Sequence, residues 1–209
     1  MALDTYDNLK TEIASFLNRD DLTANIDTFI DLAESRHARD LRIREMETVS
    51  TSITTVAGTQ AYDLPTGYLE LRYAMLQTSP YTMLQYMTPA DFFRVYNAGE
   101  GTGMPLYYTI VGKQIYLGHS PDSANVLELG FFKRPTALSS SSTTNDILTN
   151  FPDLYLYGSL AETSPFLMQD ERLAVWSSLH KEGVRTANES AQRGRVSAAP
   201  LQMSARRVV

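Results

Sequence analysis

Apolar residues change their spacing twice along this 209-residue chain. Leu9, Ile13, Phe16 and Leu17 recur every three or four positions, which predicts an amphipathic helix. Thr5 is placed to cap it, with Asp7 in the first turn. A polar break, "NRDDLTAN", follows. Ile26, Phe29, Ile30, Ala33, His37 and Leu41 then form a second helical stripe, with Asp27, Asp31, Glu34 and Arg42 on the opposite face. Neither helix can bury its stripe alone, so the two are expected to pair as a hairpin.

After Arg44 the helical period is lost. "VSTSITTV" is rich in β-branched residues, as strands are. "YDLPTGY" holds a Pro65-Thr66-Gly67 turn. "LELRYAMLQ" alternates, which places Leu69, Leu71, Tyr73 and Met75 on one face and Glu70 and Arg72 on the other. "TMLQYM" reads as a further strand. One short helix interrupts, with Thr88 as cap, Pro89 first and Asp91 completing a capping box. It carries Phe92, Phe93 and Tyr96 and runs into "NAGEGTG". "PLYYTIVGKQIYLG" then predicts a hairpin turning at Gly112-Lys113, and "VLELGFFKR" another strand. "SSSSTTND" reads as a polar loop.

Helical spacing returns with Pro152. Pro165 should kink that helix or end it near Thr163. Asp170 is placed to cap the last helix, whose stripe is Leu173, Trp176, Leu179, Gly183, Ala187 and Ala191. The pattern thus predicts an α+β chain: a helical bundle from N- and C-terminal helix pairs (1–44 and 150–195), an inserted antiparallel β-rich lobe (45–149), and an extended C-terminal segment (196–209).

Composition narrows the chemistry. Apolar residues make up 43%, enough for a core, and cysteine is absent, which removes disulfides and thiolate chemistry. No run approaches the ~20 apolar residues of a membrane span, and the acidic, polar N-terminus does not read as a signal peptide. His37, His119 and His180 share no ligand spacing, so no metal is expected. His37 reads as a packed core residue and His119 as a surface one. Gly99, Glu100, Gly101 and Gly103 superficially suggest a phosphate loop. Such a loop should follow a strand and open a helix, and this one does the reverse, so it reads as a loop tip. The carboxylate pairs Asp20-Asp21 and Glu45/Glu47 are sequence neighbours of the solvated kind. No nucleophile elbow or Walker loop occurs, and no catalytic residue, metal or cofactor is assigned.

Net charge is −6, but residues 192–209 carry four arginines and no acid, so the rest of the chain stands at −10. An acidic body opposes non-specific DNA binding. Tyr107, Tyr108, Tyr116, Phe131 and Phe132 could stack bases or sugars, yet no basic comb is interleaved with them. A sheet covered on both faces explains them better. "PDLYLYGSLAETSPFLMQDERL" is apolar on more than one side, which raises the question of what covers it.

Three stretches together carry a resemblance. They are "TYDNLKTEIASFLNRDDLTANIDTFIDLAESRHARDLRIREME", "PLYYTIVGKQIYLGHSPDSANVLELGFFKRPTAL" and "FPDLYLYGSLAETSPFLMQDERLAVW". From Thr5 to about Arg195 the chain resembles the head-to-tail adaptor (connector) proteins of tailed bacteriophages and is similar in plan to the tail tubular A proteins. The resemblance implies a virion structural protein without activity or cofactor. It implies a homo-oligomeric ring, usually a dodecamer, beneath the portal, which extends the DNA channel and offers a platform to the next tail or nozzle protein. Genomic DNA would pass through without specific binding, and assembly would take place in the host cytoplasm with no membrane involved.

A ring gives each subunit two different neighbours. On that reading Tyr155 and Tyr157 face opposite partners, with Phe166, Trp176 and Leu179 also at the subunit interface. The alternative is a helix buried within one subunit. Pro200, Leu201, Met203, Arg206, Arg207, Val208 and Val209 form a segment suited to docking on the portal. Gly99, Glu100, Gly101 and Gly103 form a tail-side loop tip. Two other functions remain open at this point: a different neck or tail ring, such as a completion protein, and a carbohydrate-binding or carbohydrate-active protein using the aromatics.

Overall fold

The computed structural model describes residues 3–96, 101–166 and 171–195. The chain divides into two compact units, Met1–Glu45 with Thr136–Val209, and Met46–Pro135. The inserted unit is therefore shorter than 45–149. The serine-rich segment belongs to the helical unit, where it is anchored rather than free. The Ser139 amide donates to the Ser142 carbonyl, the Tyr6 amide to the Thr143 carbonyl and the Leu138 amide to Glu34 Oε1.

In the helical unit, α1 (Tyr6–Leu17) is capped by Thr5 Oγ1, which accepts from the Asn8 amide. Asn18 ends it in the left-handed conformation, with φ of 50°. The buried line is Tyr6, Leu9, Ile13 and Leu17, whereas Phe16 is exposed. The polar break is a 3-10 turn, Asp20–Asn25, that buries Leu22. It leads into α2 (Ile26–Asp40), whose expected stripe is buried throughout.

A helix that the sequence reading missed, α4 (Asp146–Asn150), follows the serine segment. Its cap is Asn145, whose Oδ1 accepts from the Leu148 amide at 2.8 Å. Then comes α5 (Pro152–Ala161), with Pro152 in its first turn, and the long α6 (Arg172–Arg195). The expected cap Asp170 lies outside the described residues.

α5 touches α1, α2, α4 and α6. That explains its lack of a single apolar face: Leu154, Tyr155, Leu156 and Leu160 point different ways and all are buried. The helix is covered by its own subunit.

The β unit holds two four-stranded sheets. One has the order β1 (Glu47–Thr54), β10 (Val126–Lys133), β3 (Tyr68–Leu76) and β4 (Thr82–Met83), all antiparallel. The other has the order β2 (Ala61–Asp63), β8 (Gln114–Gly118), β7 (Tyr107–Val111) and β5 (Gln85–Tyr86), in which the β5–β7 pairing is parallel. A short parallel pairing joins β6 (Thr102–Gly103) to β9 (Ser120–Pro121). The expectation of an antiparallel lobe thus holds for the long strands and fails for these two-residue pairings. The core draws on both sheets: Ala74, Leu76, Leu127, Leu129 and Phe131 from the first, Ile115 and Leu117 from the second, with Leu84 between.

The two turns form as predicted. Gly67 has φ of 77° and Tyr68 N–H reaches back to the Pro65 carbonyl; Gly112 has φ of 61° in the β7–β8 hairpin. These positive angles call for glycine. α3 (Pro89–Val95) carries the predicted cap, with Thr88 Oγ1 accepting from the Asp91 amide and donating to the Asp91 carboxylate.

Candidate functional site

The proposed interface residues fall into different places on the helical unit. Tyr155 has no exposed surface. Its hydroxyl donates to Glu34 Oε1 at 3.1 Å and accepts from Asn145 Nδ2 at 2.6 Å. Burial holds its phenol far above the ordinary range, with the Glu34 charge adding to this. Tyr155 is thus a core residue tying α2, α5 and the α4 cap together, and the expectation that it faces a neighbouring subunit is corrected. Trp176 is only 6% exposed and lies under the Arg172 guanidinium, so it too is corrected to the core.

The α6 stripe is rotated from its expected position. The buried line is Trp176, His180, Ala187 and Ala191, and Leu179 is 43% exposed. Leu179 lies about 90° round the helix from the middle of that line. The displacement has a cause in the core. His180 Nε2 stands 3.3 Å from His37 Nε2 of α2, and the two rings leave room only because Gly158 of α5 has no side chain. A Cβ there would meet His180 at 3.2 Å and His37 at 3.3 Å. Gly183 similarly admits Leu154, which a Cβ would meet at 2.8 Å.

The imidazoles are neutral. Burial, then repulsion from His180, pushes His37 down to about 3. Burial and the nearby Arg36 lower His180. The His37 ring also lies edge-on to Tyr155, 5.0 Å between centroids. His37 Nδ1 has no hydrogen-bond partner of good geometry, although the Leu154 backbone is close enough to favour the charged form slightly. The core role read for His37 from sequence is correct. Its partner was missed, because positions 37 and 180 share no local pattern.

Tyr157 and Leu179 are brought together. They line one groove of about 390 Å³ with Phe151, Asp153 and Gly183. Phe166 is separate from it: 48% exposed, with its ring edge-on to Phe29 at 5.3 Å. Exposed apolar side chains on the unit thus include Phe16, Leu32, Phe166, Val175 and Leu179.

In the β unit, Gly101 is exposed while Gly103 pairs with Pro121 in β6–β9, so Gly103 belongs to a strand pairing and not to a loop tip. Gly99 and Glu100 lie outside the described residues, as does everything from 196 onward, including Pro200, Leu201, Met203 and Arg206 to Val209. His119 is exposed, as expected. Phe131 and Phe132 are buried, each 2% exposed, which fits a strand covered on both faces. Among the described residues no cluster of three or more His, Cys, Asp or Glu could hold a metal, and no helix is long and apolar enough to cross a membrane.

The chain is thus a helical unit interrupted by a two-sheet insertion. The model of the SU10 adaptor protein family matches residues 4–204, nearly the whole chain. The chain belongs to that family of bacteriophage adaptor proteins and is a structural protein of that kind. No curated protein matches it.

Proposed function

We propose that the chain is a ring-forming head-to-tail adaptor. It docks under the portal in the neck of the virion, extends the DNA channel and offers a platform for the next tail component. The observation that carries this reading is the adaptor-family match across residues 4–204. The fold fits the role: the helical unit serves as the ring-forming bundle, and the β unit as the inserted lobe. A homo-oligomeric ring, a dodecamer in this reading, needs two unlike faces on each subunit.

With Tyr155 and Trp176 committed to the core, the interface is proposed at Tyr157, Leu179 and Phe166. The arginine-containing segment from Pro200 to Val209 supplies portal attachment, and Gly99, Glu100 and Gly101 face the tail.

The test is direct imaging of the protein bound to its portal. Rings in register with the portal are expected, and a monomer bound elsewhere on the virion would overturn the reading. Tyr157→Asp with Leu179→Asp should abolish rings and leave the circular dichroism of the subunit unchanged. Normal rings from that variant would remove the groove from the interface. Deleting residues 197–209 should leave the subunit folded and weaken portal capture; capture at full strength would assign attachment to another surface.

A further inference from the structure

On the surface of the helical unit, directly above the buried histidine pair, α2 and α6 leave a second pocket. It measures about 390 Å³ and is lined by Arg36, Arg39, Asp40, His180, Lys181 and Val184. His180 is its floor, 2% exposed, and is hydrogen-bonded on its inner side to His37. Arg39 and Lys181 are exposed and make no ion pair among the described residues. Arg36 is bridged to Glu162 and Asp40 lies on the rim. Among the lining residues the cations Arg36, Arg39 and Lys181 thus meet one carboxylate, Asp40, while Glu162 and Asp153 lie outside the lining.

We propose that this pocket binds an oxyanion of phosphate size, with Arg39 and Lys181 as the mouth and a protonated His180 as the floor. Guanidinium and ammonium groups supply directional donors to such an oxygen cluster. A neutral buried imidazole that gains a proton needs a counter-charge, and an anion in the pocket supplies it. The groups facing the imidazole pair are Arg36 and Asp40 of α2, Asp153 and Tyr155 of α5, and Lys181 of α6. Asp40 and Asp153 favour the proton on His180, Arg36 opposes it, and the neutral Tyr155 ring packs on His37. Binding and protonation are thus coupled, so affinity rises as pH falls. A single pocket rather than a basic stripe fits one phosphate or carboxylate group and not a nucleic-acid backbone. Glu182 and Asp153 in the adjacent groove would repel the rest of a duplex.

The probe is inorganic phosphate, titrated into the full-length protein with 13C-labelled histidine, against sodium chloride at matched ionic strength. Phosphate should move the His180 ring signal, raise its apparent pKa by about one unit and leave exposed His119 unmoved. With sulfate, whose charge is constant over this range, affinity should be severalfold higher at pH 5.5 than at pH 7.5. Arg39→Gln with Lys181→Gln changes only exposed side chains and should remove the response. About 20 mM phosphate should also raise the melting temperature by roughly 3 °C, again only in the unsubstituted protein. An equal rise in the double variant would be the general salting effect of phosphate and would overturn the proposal. So would a His180 signal that follows chloride as well as phosphate.

Discussion

At Gly158 one missing side chain holds the centre of the helical unit together. Both imidazoles press against the α5 backbone where a Cβ would stand 3.2–3.3 Å from their ring atoms. Gly158→Ala should therefore destabilise the subunit by about 1–3 kcal/mol through overpacking, although alanine is the better helix former. Urea unfolding would measure this, and a gain in stability would mean that the rings repack freely. The pair also makes stability depend on pH. His37 and His180 are both depressed in the folded state, so the unfolded chain binds more protons below its ordinary histidine range. Stability is then fully present above about pH 6.5. It falls as pH drops toward the folded value of about 3 for His37. The loss approaches about 1.4 kcal/mol per pH unit for His37, and His180 adds to it in the same direction. Midpoints of urea unfolding at pH 7 and pH 5 read this directly.

Elements depart from their sequence patterns where one residue has to serve two neighbours. In β3 the expected face of Leu69, Leu71, Tyr73 and Met75 does not persist. The pairing with β10 slips between Tyr73 and Leu71 and again between Glu70 and Tyr68, so each slip reverses the alternation. Tyr68, Leu71, Ala74 and Leu76 therefore pack on the core. Tyr73 instead lies across Gly130 and donates to Glu128 at 2.9 Å. "TMLQYM" is not one strand. It changes sheets at buried Leu84, with β4 on one side and β5 on the other. Asn145 serves three partners at once: the Leu148 amide, the Thr136 carbonyl and the Tyr155 hydroxyl. Asn145→Ala should cost about 2–3 kcal/mol, more than an isolated cap, because Tyr155 also loses a partner. Thr88→Ala, which removes an exposed cap on α3, should cost only about 1 kcal/mol. If the two losses proved equal in chemical unfolding, the Asn145 network would be no more than a cap.

For the whole molecule, charge bears on the channel proposed above. With four arginines gathered in residues 192–209, the remainder carries −10. Counterion release then gives DNA little grip on the body. Duplex DNA should bind the full-length protein more weakly than about 10 µM at physiological salt, read by fluorescence anisotropy. Tighter binding would be incompatible with a lumen through which DNA slides.

What the sequence determined by itself follows from short-range physics. Thr5 and Thr88 cap because their hydroxyls reach amides three residues on; Gly67 and Gly112 turn because only glycine takes positive φ without strain. The α2 stripe, the alternation of helical and β-rich segments and the adaptor resemblance were legible for the same reason, since each is written in consecutive residues. Tertiary structure decided what depends on distant partners. The apolar helix "PDLYLYGSLA" finds its cover in α1, α2, α4 and α6. A sequence shows that a surface is apolar on several sides, but not whether the same chain or another copy covers it. Tyr155 accordingly moved from interface to core, and Leu179 moved out as His180 turned in toward His37. The α6 pattern contains both Leu179 and His180, and the choice between them was made by a residue 143 positions away. Burial energy favours leucine inward, but the pairing of two neutral imidazoles over a glycine fixes the rotation of the helix.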